Sequence, residues 1–211
     1  MSLALGRDTG FVTITDPPTE KGAQTRDAIL TVAIARFGRD GYRATSVADI
    51  ARDANVSGTL AYAYFDNKRA LFLAALDADI AALIEEGVSS VLETPGDQTW
   101  RDSLVFTLIE ALDRRPLARR MLAGLEPEVA DRIVELPAME ELRSAVAARL
   151  RADQGVGLVR ADIDAETIGH GIVGIFITML LAAVQFGADA GAAHGREMLA
   201  VIEAAVDPLP R

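Results

Sequence analysis

The chain has no cysteine, which excludes a disulfide scaffold, a zinc–thiolate site, an iron–sulfur cluster and a cysteine nucleophile. Histidine is nearly as scarce, with only His170 and His194, so a His-rich metal site is not expected. Aromatic residues are few (one Trp, three Tyr, seven Phe), leaving the core to Ala, Leu, Ile and Val. Basic charge is short as well: 21 Lys/Arg against 31 Asp/Glu give a formal net charge of −10, at first sight a poor match for nucleic acid. No segment alternates apolar and polar residues long enough to read as a strand, so no sheet is expected. Met1 to Gly10 lack an apolar core behind a basic start, and no secretory signal is read there. Long apolar runs are missing too. Thr167 to Ala188 carries no formal charge, but its continuous apolar part, Ile172 to Val184, falls short of the roughly 20 residues a membrane span needs. Its flanks, Asp162, Asp164, Glu166 and Asp189, are acidic where basic anchors would be expected. A buried interface helix is the better reading, in a cytoplasmic chain with no membrane contact, cofactor or metal.

What remains is an ordinary globular composition, 50% hydrophobic and 25% charged over 211 residues, enough for one large domain or two small ones. The charge is unevenly placed. Residues 1–70 hold nine Lys/Arg and eight Asp/Glu, net +1, whereas residues 71–211 hold twelve and twenty-three, net −11. A near-neutral head on an acidic body permits a polyanion to meet the head alone.

Three regions are expected: a flexible arm over 1–22, a helix-turn-helix head over 23–70 and a helical body over 71–211. Asp16-Pro17-Pro18 blocks helix in the arm. From Thr25 the period turns helical, with Ile29, Ala33 and Phe37 on one stripe widened by Leu30 and Ile34, and Gly41 reads as a left-handed cap. Thr45 or Ser46 caps a second helix whose inner face is Val47, Ile50, Ala51 and Ala54. Asn55-Val56-Ser57 makes a tight turn, Ser57 caps a third helix through Phe65, and Asp66-Asn67 caps a fourth that runs to about Leu92. Further helices are expected at about 99–114, 117–125, 128–135, 138–153, 165–185 and 195–206.

The block Thr45 to Lys68 meets the demands of a helix-turn-helix. Ala51 allows a close crossing, Asn55 tolerates positive φ, and Val56 supplies an apolar anchor after the turn. Ser57, Gly58 and Thr59 keep the start of the next helix small and polar, with free N–H groups facing outward. Tyr62 and Tyr64 can donate to phosphate, and Lys68 can pair with it. Helical period alone leaves a second reading open, three small helices of any bundle.

Residues 25–73 resemble the N-terminal domain of the tetracycline-repressor (TetR) family of bacterial regulators. The resemblance is carried by Ala28-Ile29-Leu30, Phe37, Gly41-Tyr42, Ala44-Thr45-Ser46, Ile50-Ala51, Val56-Ser57, Tyr62-x-Tyr64-Phe65, Lys68 and Leu71-Phe72. It implies an all-α chain, a helix-turn-helix domain followed by a ligand-binding and dimerisation bundle. The helix from Ser57 to Phe65 would enter the major groove of a palindromic operator. Thr45, Ser46, Ser57, Tyr62, Tyr64 and Lys68 would meet mostly phosphates, and Gly58, Thr59, Leu60 and Ala63 would lie nearest the bases. Departures are Asn55 for the usual glycine, Gly58 for a common lysine and Ala61 for a large aliphatic. With so few Arg, Asn or Gln toward the bases, readout leans on thymine methyls and on shape.

For the body, the resemblance implies a repressor released by a small effector, acting as a homodimer. Candidate pocket liners are Trp100, Phe106, Met121, His170, Ile175, Phe176 and Met179, a mostly apolar set that suits a lipophilic molecule and equally suits plain core. Candidate dimer residues are Gly171, Gly174, Ala182, Met198, Leu199, Ile202 and Ala205, on two helices that could pair with their twins. Two alternatives stay open: a helical metalloenzyme using Glu166 and His170, which stand at i, i+4, and a DNA-binding factor without an effector.

Overall fold

The computed structural model describes residues 20–92, 100–127 and 135–208. Among these residues there are nine helices and no strand: α1 Glu20–Ala44, α2 Val47–Asp53, α3 Gly58–Tyr64, α4 Lys68–Leu92, α5 Trp100–Leu112, α6 Pro116–Leu122, α7 Pro137–Gly155, α8 Ala165–Phe186 and α9 Ala188–Val206. The all-α expectation holds. The segment 1–19 and the expected helix over 128–135, apart from Glu135, lie outside the described residues.

The apolar stripe read from the sequence does face inward. Ile29, Leu30, Ala33 and Phe37 of α1 are buried, as are Val47, Ile50 and Ala51 of α2. Two helix starts differ from expectation by five residues or more. The first helix begins at Glu20, five residues before Thr25, with an acidic side chain favourably placed at the positive end of the helix dipole. The last begins at Ala188 where Gly195 was expected, because a run of Ala and Gly carries helix without an apolar stripe to announce it. Gly41 does interrupt α1, though not as a left-handed helical cap. Its φ of 83° and ψ of 169° fall in a region open essentially to glycine.

Helix α4 runs from head to body and organises the helices around it. Asn67 caps it, accepting the Ala70 N–H at 2.9 Å. Two residues on α4 then cap other helices. Asp79 Oδ2 accepts the N–H groups of Leu117 (3.1 Å) and Ala118 (2.9 Å), and Asp77 Oδ1 accepts that of Ala138 (3.0 Å). Helices α6 and α7 each open on a proline and have no side-chain cap of their own, so α4 supplies what their sequences lack. Glu86 of α4 pairs with Arg114 (2.5 Å) and Arg115 (2.6 Å) beyond α5.

Short helix α6 is held from three sides. Asp79 grips its first turn, Gln185 of α8 donates to the Leu122 carbonyl at its end (2.9 Å), and α1 packs along it. Gly38 makes that last approach possible, since a Cβ there would stand 2.8 Å from the Pro116 side chain. The most extensive helix–helix packing is of α7 with α8 and of α8 with α9. One apolar core joins head and body, from Ile29 through Leu76 and Trp100 to Val206. Its polar inclusions are paired: Arg149 with Asp153 (3.0 Å) and Arg101 with Asp207 (3.4 Å), both guanidinium groups lying within 6 Å of the Trp100 ring.

Candidate nucleic-acid interface

Ser46 accepts the Asp49 N–H (3.1 Å) to start α2, and its hydroxyl donates to the Asp49 carboxylate (2.6 Å). That hydroxyl, with Arg52 behind it, holds the Asp49 carboxyl below its ordinary value. Helix α2 ends at Asp53, with Ala54 as its C-cap. Asn55 then adopts a φ of 55°, the left-handed geometry the turn requires, and the Val56 N–H returns to the Ala51 carbonyl (2.9 Å). Ser57 accepts the Leu60 N–H (3.1 Å) and opens α3. Ala51 and Ala61 are both fully buried in the head, the latter where a larger aliphatic was expected from resemblance.

This geometry turns one face of α3 outward. Ser57, Thr59, Leu60, Tyr62 and Ala63 are exposed, Leu60 by 38% and Tyr62 by 54%, and beside Gly58 there is open space. Tyr64 is half-buried, with its ring 6.5 Å from that of Phe65. The outward face carries no charged side chain and no amide. Thr45 is corrected: it is 2% exposed, and its hydroxyl donates to the Gly41 carbonyl (2.8 Å), so its side chain is spent on the α1–α2 corner.

Three arginines of the head are neutralised within it. Arg36 pairs with Asp53 (2.5 Å), Arg39 with Asp40 (2.7 Å) and Arg52 with Asp49 (2.5 Å). Lys68 differs. Its described partners are neutral, the Arg43 carbonyl (3.3 Å) and the face of the Tyr42 ring (4.5 Å).

The family model for bacterial regulatory proteins of the tetR family matches residues 29–75, the stretch that builds this turn. Residues 29–75 are thus a tetR-family domain. Relatives of the chain include the DNA-binding transcriptional repressor TetR of Mycobacteroides abscessus, 29% identical over 155 residues and covering 74% of each chain. The HTH-type transcriptional regulator YdgC of Bacillus subtilis is 26% identical over 160 residues, 74% of this chain and 78% of that one. Among solved structures, Thermus thermophilus FadR, a TetR-family repressor in complex with lauroyl-CoA, aligns with a TM-score of 0.64 over 88% of this chain and 96% of its own, at 22% identity. The chain thus carries the helix-turn-helix of a tetR-family regulatory protein ahead of its helical body.

The body residues singled out from the sequence divide. Trp100, Met121, Phe176 and Met179 are buried in the core and Ile175 is half-buried. His170 is exposed on α8, because its neighbours Gly169 and Ile172 take the inward positions. The side chain of Phe106 lies outside the described residues. Glu166 pairs with Arg151 (3.3 Å), and the described residues hold no cluster of three or more His, Asp or Glu fit for a metal ion. A cleft of about 320 Å³ opens elsewhere, where head meets body, lined among others by Asp40, Gly41, Arg120 and Glu126. Neither Glu126 nor Tyr42 could be picked out as partners beforehand, being 84 residues apart.

Of the dimer candidates, Gly171 and Gly174 are exposed on α8 with nothing within 4 Å of where a Cβ would stand, and Ala182, Met198, Leu199 and Ala205 are half-buried. Ile202 is corrected: it is buried in the protomer's own core. Phe186 and Val201 were missed, and they are 70% and 61% exposed. Helix α8 is long and apolar enough to cross a membrane, yet Ile172, Val173, Phe176 and Leu180 are packed inside the bundle.

Proposed function

We propose that this TetR-family regulator is a repressor that binds a near-palindromic operator as a homodimer and is released by a small lipophilic effector. The observation that carries the reading is the outward face of α3, set by the positive φ of Asn55 and the Ser57 cap. Residues 23–70 form the DNA-binding unit and 71–211 the effector and dimer unit. Gly58, Thr59, Leu60 and Ala63 lie against base edges. Ser46, Ser57, Tyr62, Tyr64 and Lys68 meet phosphates. A face with no guanidinium or amide reads thymine methyl groups and groove shape.

The dimer is supported by the solvent side of α8. Only 33% of the most apolar stretch of that helix is buried in the protomer, an unusual exposure for so apolar a segment. Gly171, Gly174 and Ala182 permit close approach, with Phe186, Met198, Leu199, Val201 and Ala205 beside them, and two copies would form a four-helix interface. A lipophilic effector is supported by the apolar set Met121, Ile175, Phe176 and Met179. The acidic body disfavours a strongly anionic ligand. As a regulator of transcription the protein acts on the chromosome, in the cytoplasm.

Selection of duplexes from a random-sequence pool with the full chain tests the reading. A recovered two-fold-related motif, bound one dimer per site and released on addition of lipophilic compounds, is the expected result. Binding indifferent to sequence rejects it.

A further inference from the structure

Tyr42, directly after the break in α1, is held by the body of the protein. Its N–H donates to Glu126 Oε1 at 3.1 Å, and the same oxygen receives Nε of Arg120, on α6, at 2.5 Å. Glu126 is 6% exposed. The pair presses against bare backbone: a Cβ on Gly41 would stand 2.5 Å from Arg120 Nη2 and 2.8 Å from Glu126 Oε1. The glycine is thus needed both for its φ of 83° and for the space it leaves.

The Tyr42 ring continues the chain of contacts toward DNA. It packs edge-on against Phe72 (5.2 Å between centroids) and stacks near Phe37 (6.2 Å). On it rests the Lys68 ammonium, 4.5 Å from the ring centroid, while Lys68 Nζ also donates to the Arg43 carbonyl at 3.3 Å. Both supports of Lys68 therefore follow where residues 42 and 43 lie, which Glu126 helps to hold together with the aromatic packing.

We propose that Glu126 is a positioning residue for DNA binding, acting through Tyr42 to hold Lys68 ready for a phosphate. The inference rests on the reading of Lys68 as a phosphate contact. A lysine on a free four-carbon stem loses rotamer freedom when it pairs with phosphate, and one already seated on an aromatic face loses less. Without the Glu126 carboxylate, the Tyr42 N–H loses its acceptor and Arg120 loses its hydrogen-bonded counter-charge, so the corner at Gly41 is held by the Thr45 hydroxyl alone of its two described polar anchors. The ring and the carbonyl move together, and Lys68 is released.

The test is a double-mutant cycle on the full chain, titrated against duplexes recovered from a random-sequence pool at several salt concentrations. Lys68→Ala is expected to lower the salt slope by about one unit. Glu126→Ala should weaken binding about five- to tenfold and lower the slope in the same direction. In the Lys68→Ala background the same substitution should cost less than twofold. A wild-type slope for Glu126→Ala, or losses that multiply in the double variant, would overturn the proposal and leave Glu126 a structural residue only. If the alanine variant does not fold, Glu126→Gln carries the same readouts: about threefold weaker alone and near neutral without Lys68, with no loss or a multiplied loss overturning the proposal. An unchanged slope for Lys68→Ala itself defeats the phosphate reading, and the proposal with it. Failure of the wild-type chain to select any duplex is a different result and rejects the DNA-binding reading.

Discussion

Asn55 does with a side chain what glycine does without one. At its φ of 55° an ordinary L-residue loses roughly 1–2 kcal/mol. Asn55→Ala is therefore expected to destabilise the chain by about 1 kcal/mol in urea denaturation, and Asn55→Gly to leave it near wild type. Leu60 poses the opposite problem, an apolar side chain displayed on a surface meant for a polyanion. If it covers thymine methyls, replacing thymine by deoxyuridine in one half-site should weaken binding about fourfold per contacted methyl, near the value of one buried CH₂. Leu60→Ala should abolish that difference. Equal affinity for thymine and uracil duplexes would instead assign discrimination to the Thr59 and Tyr62 hydroxyls or to groove shape.

Among the elements, α6 depends most on its neighbours, because its cap comes from Asp79 on α4. Asp79→Ala leaves two N–H groups without their acceptor and should cost about 2 kcal/mol in chemical denaturation. Burial pushes the Asp79 carboxyl above the ordinary aspartate value of 3.8, outweighing the two N–H groups and Arg115, which pull it down. The folded state thus holds this proton more tightly than the unfolded one, and the contribution of Asp79 to stability falls as pH rises from 3.8 through the raised value. Asp40, held low by Arg39, Asp162, held low by Arg160, and Asp164, held low by the Thr167 hydroxyl and N–H, act in the opposite sense. Their contribution is complete above 3.8 and is lost as pH falls through their depressed values. Asp79→Asn should remove the decline above 3.8 and leave the acid limb in place, as a stability profile from pH 3 to 7 would show.

The limits of sequence reading follow the same line. The helices, the turn and the caps at Ser46, Ser57 and Asn67 were legible because each is decided within four residues. The caps on α6 and α7 were not, since their donors and acceptors lie 38 to 61 residues apart. Thr45 misled for a related reason: its polarity suggested exposure, whereas the break at Gly41 aims a carbonyl at its hydroxyl and draws it inward. The exposed rim at Phe186 and Val201 needed the packing of α8 against α9 before it could be distinguished from core.

For the molecule as a whole, the decisive unknown surface is the open side of α8. Gly174→Glu puts a carboxylate where a Cβ meets nothing in the protomer, so the single chain should keep its fold and thermal midpoint within a few degrees. In the proposed dimer the same group is buried against its own symmetry mate, and light scattering at micromolar concentration should report a monomer with much weakened operator binding. A variant that remains dimeric places the twin on another face.

The 25 residues of α4 run without a break from Lys68 to Leu92, about 36 Å at 1.5 Å per residue. A rod of that length turns small rotations at one end into large arcs at the other. A tilt of roughly 5° about its far end sweeps Lys68 through about 3 Å, as much as a hydrogen bond is long. A regulator built on such a lever needs only a slight adjustment deep in its body to lift its reading head off the groove.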